Sequence, residues 1–166
     1  LISNSKKIKL EISIQNQIIW KDLDNIFCIM VLDLLSKITE DKKKRKTLVS
    51  ILLTNDLYMK KINKKWRKLE KATNVLSFPS LTNSSSKFKE VFLGDIIFSV
   101  ETILSEAKIN NISIIDHLIH LFIHGLLHLL GYDHKTEDEA RDMENLEINI
   151  LEKLSIPNPY EIKNEN

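Results

Sequence analysis

The chain has 166 residues, of which 43% are hydrophobic and 28% charged, with a net charge of +1. That suits one globular domain with a real core, expected over residues 1–166, and is too short for two comfortable ones. Cys28 is the only cysteine, which excludes an internal disulfide and a thiolate-built zinc site. No apolar run approaches the ~18 residues of a membrane span, and the first residues carry no signal-peptide core. The expectation is an intracellular protein with no membrane partner. Charge is unevenly placed. Residues 41–71 hold 12 Lys/Arg against Asp41, Asp56 and Glu70, whereas residues 136–166 hold 9 Asp/Glu against Arg141, Lys153 and Lys163. A basic block beside an acidic tail favours a polyanionic partner. The same lysines also fit the solvated faces of a chain rich in Lys, Asn and Ile.

In chain order, "IKLEISI" (8–14) alternates as a strand does. Residues 22–38 place Leu23, Ile26, Phe27, Met30, Leu34 and Leu35 at helical spacing behind a capping Asp. "DKKKRK" is a charged loop, and "TLVSILLT" (47–54) a second strand. From a polar N-cap at Asn55 a basic helix follows, with Leu57, Ile62, Trp66 and Leu69 as its expected buried side. "NVLSFP" (74–79) is a short strand stopped by Pro79, and "SLTNSSSKFK" a polar loop. "EVFLGDIIFSV" is the fourth strand, in which Gly94 signals a bulge or a close approach. Ser99 opens the next helix with a partial capping box, Thr102 standing where Glu would be ideal. Residues 113–130 form a long apolar helix ended by Gly131. Thr136 and Glu139 make a capping box for an amphipathic helix at 136–154. The pattern predicts an α+β fold: a small four-stranded mixed sheet with about five helices.

"HGLLHLLGYDH" (124–134) holds three of the five histidines. On a helix of 100° per residue, His124 and His128 share one face, and His117 and His120 lie within about 60° of it. Gly131 then lets the chain turn, so that His134 can approach from the side. A lone histidine on such a face is more often a core or surface residue. Three of them around a helix-ending glycine make a site for one catalytic zinc with an open position. Asp133 and Asp138 are candidates to orient an imidazole, while His117 and His120 read as rim or supporting groups. The spacing is also that of metzincin proteases, whose first His is followed by the Glu that acts as base. Here that residue is Gly125, which counts against peptide hydrolysis and leaves phosphodiester cleavage as the better fit.

With these residues assembled, the sequence resembles the YbeY family of bacterial endoribonucleases and ribosomal RNA maturation factors. "HGLLHLLGYDH" matches the family signature at each fixed position. So do "NKKWR" (Asn63, Trp66, Arg67), "TNVLSFP" (73–79), Gly94-Asp95-Ile96, the Met143/Glu147 pair and the closing Pro159-Tyr160. One departure is Asn74, where the family pattern has Asp and where a partner for Arg67 would be sought. The resemblance spans roughly residues 45–160. It implies zinc on His124, His128 and His134, and Arg67 as the catalytic cation of the cleft. It also implies a cytoplasmic, single-strand-specific, metal-dependent endoribonuclease in small-subunit ribosomal RNA 3′-end maturation and ribosome quality control. Its partners would be precursor RNA and the ribosome. The residues also admit a non-catalytic assembly factor in which zinc staples the last helices and, less favoured by Gly125, a metalloprotease.

Overall fold

In the computed structural model, residues 2–4, 8–14, 31, 46–81 and 90–161 are described. Five strands, β1 (Ile2–Asn4), β2 (Ile8–Ile14), β3 (Lys46–Thr54), β4 (Val75–Pro79) and β5 (Glu90–Ser99), form one sheet in the order β1-β2-β3-β5-β4. The central pairs β2/β3 and β3/β5 are parallel, and the outer pairs β1/β2 and β4/β5 antiparallel. Four helices are described: α1 (Asp56–Arg67), α2 (Val100–Ile109), α3 (Ile114–Leu129) and α4 (Glu137–Glu152). The α+β reading therefore holds, with one correction to the strand count. β1 was not anticipated, because three residues carry no legible period; it pairs through Ile2 opposite Glu11. Most of the helix expected at 22–38 lies outside the described residues; Val31 alone is described there, helical and buried.

Both faces of the sheet are covered, which is why β3 and β5 read as nearly continuous apolar runs. On one face Val49, Ile51, Leu53, Ile96 and Phe98 pack against Leu118, Ile119, Phe122 and Ile123 of α3, with Met143 and Leu151 of α4 behind. On the other, Met59 of α1 packs in a smaller cluster with Leu76 and Ile97. At Gly94 the expected irregularity is a bulge: Leu48 opposes Phe92 while Val49 opposes Gly94, leaving Leu93 unmatched. Gly94 has φ +143°, and a Cβ there would lie 2.2 Å from the Phe78 carbonyl oxygen, so the close approach holds as well.

Of the expected buried side of α1, Ile62 packs against the smaller cluster, and the other three residues do not match. Met59 and Asn63 are buried, whereas Leu57, Trp66 and Leu69 are 66%, 62% and 45% exposed. The apolar surface under α1 is small, so a narrow stripe suffices. Leu69 also leaves the helical period, because Lys68 turns the chain with φ +62°. The buried Asn63 holds the turn that follows, its Nδ2 donating to the Lys71 carbonyl at 2.8 Å. Asp56 fixes the start of α1 to the start of α2. Its Oδ1 accepts from Ser99 Oγ at 2.5 Å and Thr102 Oγ1 at 2.7 Å. That explains the partial capping box: Ser99 sits at the N-cap of α2 without capping it, its hydroxyl given to Asp56. The box at α4 is complete, with Thr136 and Glu139 bonding reciprocally. No single helix among the described residues is long and apolar enough to cross a membrane.

Candidate metal centre

α3 begins at Ser113, whose hydroxyl caps Asp116, and ends in a left-handed glycine turn. Gly131 (φ +97°) sends its N–H to the His128 carbonyl at 3.1 Å, and Tyr132 sends its own to Leu127 at 3.0 Å. These are the paired bonds by which a glycine closes a helix. The turn carries His134 back beside the last turn of α3. One ring nitrogen from each of His124, His128 and His134 then lies within 4.8 Å of the others. His134 stacks on His124 at 5.6 Å between ring centroids and meets His128 at 5.0 Å. The three histidines are thus brought together by the elements that the sequence implied.

Hydrogen bonds decide which nitrogens face the site. His128 Nδ1 is 3.0 Å from the Tyr132 carbonyl oxygen, which can only accept, so Nδ1 carries the proton. His124 Nδ1 is 2.8 Å from Glu147 Oε1, a buried carboxylate. Burial by itself would push the Glu147 carboxyl up, but hydrogen bonds from His120, His124 and Tyr160 outweigh it and hold the group down at about 2. Glu147 is therefore an anion, and His124 Nδ1 donates to it. The two Nε2 atoms face one another at 3.1 Å. Two imidazole nitrogens at that distance share a proton, or ligate one cation when both are deprotonated. Burial, and then the neighbouring His124 ring, hold His128 below the ordinary imidazole range, which favours the neutral form that a ligand needs.

The groups that orient these rings are not the ones expected. Asp133 accepts from the His134 N–H and pairs with Lys135, and Asp138 pairs with Arg141. The work falls to Glu147 and the Tyr132 carbonyl. His120 is more than a rim residue: its Nε2 lies 3.0 Å from Glu147 Oε2, which also accepts from the Tyr160 hydroxyl. His117, nearly buried, bonds Glu106 at 2.8 Å. Glu106 in turn accepts from Asn74 Nδ2 at 2.9 Å, so Asn74 faces Glu106 and not Arg67. A signal for Glu147 stood in the sequence. It occupies the buried stripe Met143–Glu147–Leu151 of α4, where a charge must find partners.

Arg67 reaches the same cleft from across the β4 edge. The cleft has a volume of about 700 Å³ and is lined by Trp66, Arg67, residues 73–79, His124, His128 and residues 131–134. Arg67 is exposed, and no carboxylate among the described residues pairs with it. The basic neighbours Lys64 and Lys60 are partly engaged by Glu70, at 2.8 and 3.8 Å. Residues 41–45 of the basic block lie outside the described residues. Gly125, the residue after the first ligand-type histidine, is buried, and a Cβ there would lie 3.1 Å from Ile96 Cγ2. It faces the sheet, not the cleft.

Residues 12–155 match the family model described as Endoribonuclease YbeY. The chain belongs to the YbeY family. A relative from Bartonella quintana, named Endoribonuclease YbeY, is 52% identical over 112 residues, 68% of this chain and 71% of its own. Another of the same name from Rhizobium etli is 42% identical over 162 residues, 93% of this chain and 94% of its own. A solution structure from Thermotoga maritima aligns over 95% of this chain and 97% of its own, at 19% identity and a TM-score of 0.49, a likeness too loose to carry an assignment. The resemblance read from the histidine segment and its flanking motifs is thereby borne out.

Proposed function

We propose that this chain is a cytoplasmic, single-strand-specific, metal-dependent endoribonuclease acting in small-subunit ribosomal RNA 3′-end maturation and ribosome quality control, with precursor RNA and the ribosome as partners. The names of its YbeY relatives support RNA as the substrate. The observation that carries the reading is the cluster of His124, His128 and His134 ring nitrogens within 4.8 Å of one another, in one cleft with a guanidinium that no described carboxylate neutralises.

His124, His128 and His134 would hold one zinc ion, which when bound supplies a Lewis acid for a phosphoryl oxygen or a water. The remaining roles belong to the protein. Glu147 and the Tyr132 carbonyl keep the Nδ1 protons in place, so that Nε2 stays available. Arg67, as the catalytic cation, grips a phosphate with two parallel hydrogen bonds and stabilises the charge that builds on its oxygens. Gly125 supports this over peptide hydrolysis, since its position points a side chain at Ile96 and not at a substrate. The stapling alternative is disfavoured because α3 and α4 are already joined by Glu147 and the shared core.

The test is cleavage of a single-stranded RNA by the wild type, His128→Ala and Arg67→Ala, each with its metal content measured. The expected result is loss of cleavage in both variants, with metal retained in Arg67→Ala. Equal residual cleavage in all three would mark a contaminant and end the enzyme reading. A chelated wild type that unfolds would favour the staple.

A further inference from the structure

Two exposed aromatic side chains line the cleft, one from the end of α1 and one from the turn after α3. Trp66, 62% exposed, immediately precedes Arg67 at the end of α1. It is braced on one side by Phe78 of β4, with ring centroids 5.9 Å apart at 59°. Tyr132, 43% exposed, follows Gly131 on the histidine wall. Its backbone is fixed at both ends, the N–H by the Leu127 carbonyl and the C=O by His128 Nδ1. Trp and Tyr are enriched at recognition surfaces, because each joins a large apolar ring to a polar group that tolerates water. The charge around Trp66 selects the occupant. Lys64, Lys65, Arg67 and Lys68 share its turn, and Lys65 Nζ lies 5.0 Å above the indole ring. An exposed indole on a helix turn that carries Lys65, Arg67 and Lys68 matches a polyanion that also carries flat rings.

We infer that the cleft recognises unpaired bases by stacking, on Trp66 beside the phosphate gripped by Arg67 and on Tyr132 at the histidine wall. This rests on the ribonuclease reading and adds to it a physical basis for single-strand preference. A base inside a duplex is stacked on its own neighbours and offers no face to Trp66, whereas an unpaired base does. Stacking tolerates any base, so the pair selects strandedness without selecting sequence.

The test compares a short single-stranded RNA with the same backbone lacking its bases. Each is bound to metal-loaded wild type, Trp66→Leu, Trp66→Phe and Tyr132→Leu, with affinity read from the anisotropy of an end label. Stacking of one base is worth enough that Trp66→Leu should weaken binding of the base-bearing strand about ten- to a hundredfold. The base-free strand should bind all four proteins alike, and Trp66→Phe should keep most of the affinity. Tyr132→Leu gives an independent reading on a residue remote from α1. Equal weakening on both strands, or no change on either, overturns the proposal and leaves the aromatics to a protein partner or to packing on Phe78. Failure of the wild type to bind either strand overturns the ribonuclease reading itself, which is a distinct result.

Discussion

The two walls of the cleft are built in opposite ways. The histidine wall is fixed in depth: Glu147 on α4 ties His120, His124 and Tyr160 together, and the helix-ending turn ties His128. The Arg67 wall is a helix end on the smaller of the two cores, with its arginine and tryptophan in solvent. A centre that holds a metal needs donors at fixed positions, and rigidity there costs nothing once the core is formed. A wall that grips a long flexible strand needs charge and reach. Substitutions in the buried support of the first wall should therefore show in stability and metal affinity, and those on the second in RNA handling alone.

The largest effect is expected behind the histidine wall. Gly125→Glu restores the residue that a metzincin would carry, but its side chain would be driven onto Ile96. An unpaired carboxylate in that core should cost more than about 4 kcal/mol and leave the chain unfolded, as read by circular dichroism. A folded Gly125→Glu variant would mean that α3 can shift off β5. On the other wall, Arg67→Ala should leave the unfolding free energy within about 0.5 kcal/mol of wild type and the metal in place. Its cleavage of RNA should still fall by about 10²- to 10³-fold, the loss expected for one donor to a developing oxyanion. A matched loss of stability would place Arg67 in the scaffold.

The same contrast explains what could be read from the sequence. α3 and α4 were legible to within a residue or two, because each has an apolar period, a cap and a stop. Their histidine triad followed from spacing along one helix and one turn. On α1 only Ile62 of the four expected residues packs inward, since a basic helix on a small patch needs few apolar residues and its remaining ones need not be inside. Glu147 and Glu106 were missed as partners because they meet His124 and His117 across 23 and 11 residues of chain. Spacing rules carry no information at such separations. The aspartates nearer in sequence, Asp133 and Asp138, were offered in their place, and both turned out to serve exposed lysine and arginine.

Glu147→Gln should come next in size. Gln is of the same shape but cannot hold two imidazole donors and a phenol by charge, so zinc affinity should fall about 10- to 100-fold in a chelator competition. The acid limb of stability supplies a second readout. The Glu147 carboxyl drops from an ordinary 4.5 to about 2 on folding, so its contribution is present above about pH 4.5 and is lost as pH falls towards 2. Metal-free wild type should weaken through that window, and Glu147→Gln should show a flatter limb. An unchanged limb would mean that the carboxylate is already neutral in the folded protein.

Tyr160→Phe should be the mildest break of the first wall. It deletes one donor to Glu147 and leaves both histidines bonded. A hydrogen bond to a buried anion is worth about 1.5 kcal/mol, so the unfolding free energy from a denaturant titration should fall by that amount. Zinc affinity should fall only a few-fold, because His124 Nδ1 bonds the other carboxylate oxygen, Oε1, while Tyr160 shares Oε2 with His120. If Tyr160→Phe weakened zinc as much as Glu147→Gln, the phenol would be setting the position of the whole carboxylate. The stretch after α4 would then belong to the metal centre, and not merely to the core that supports it.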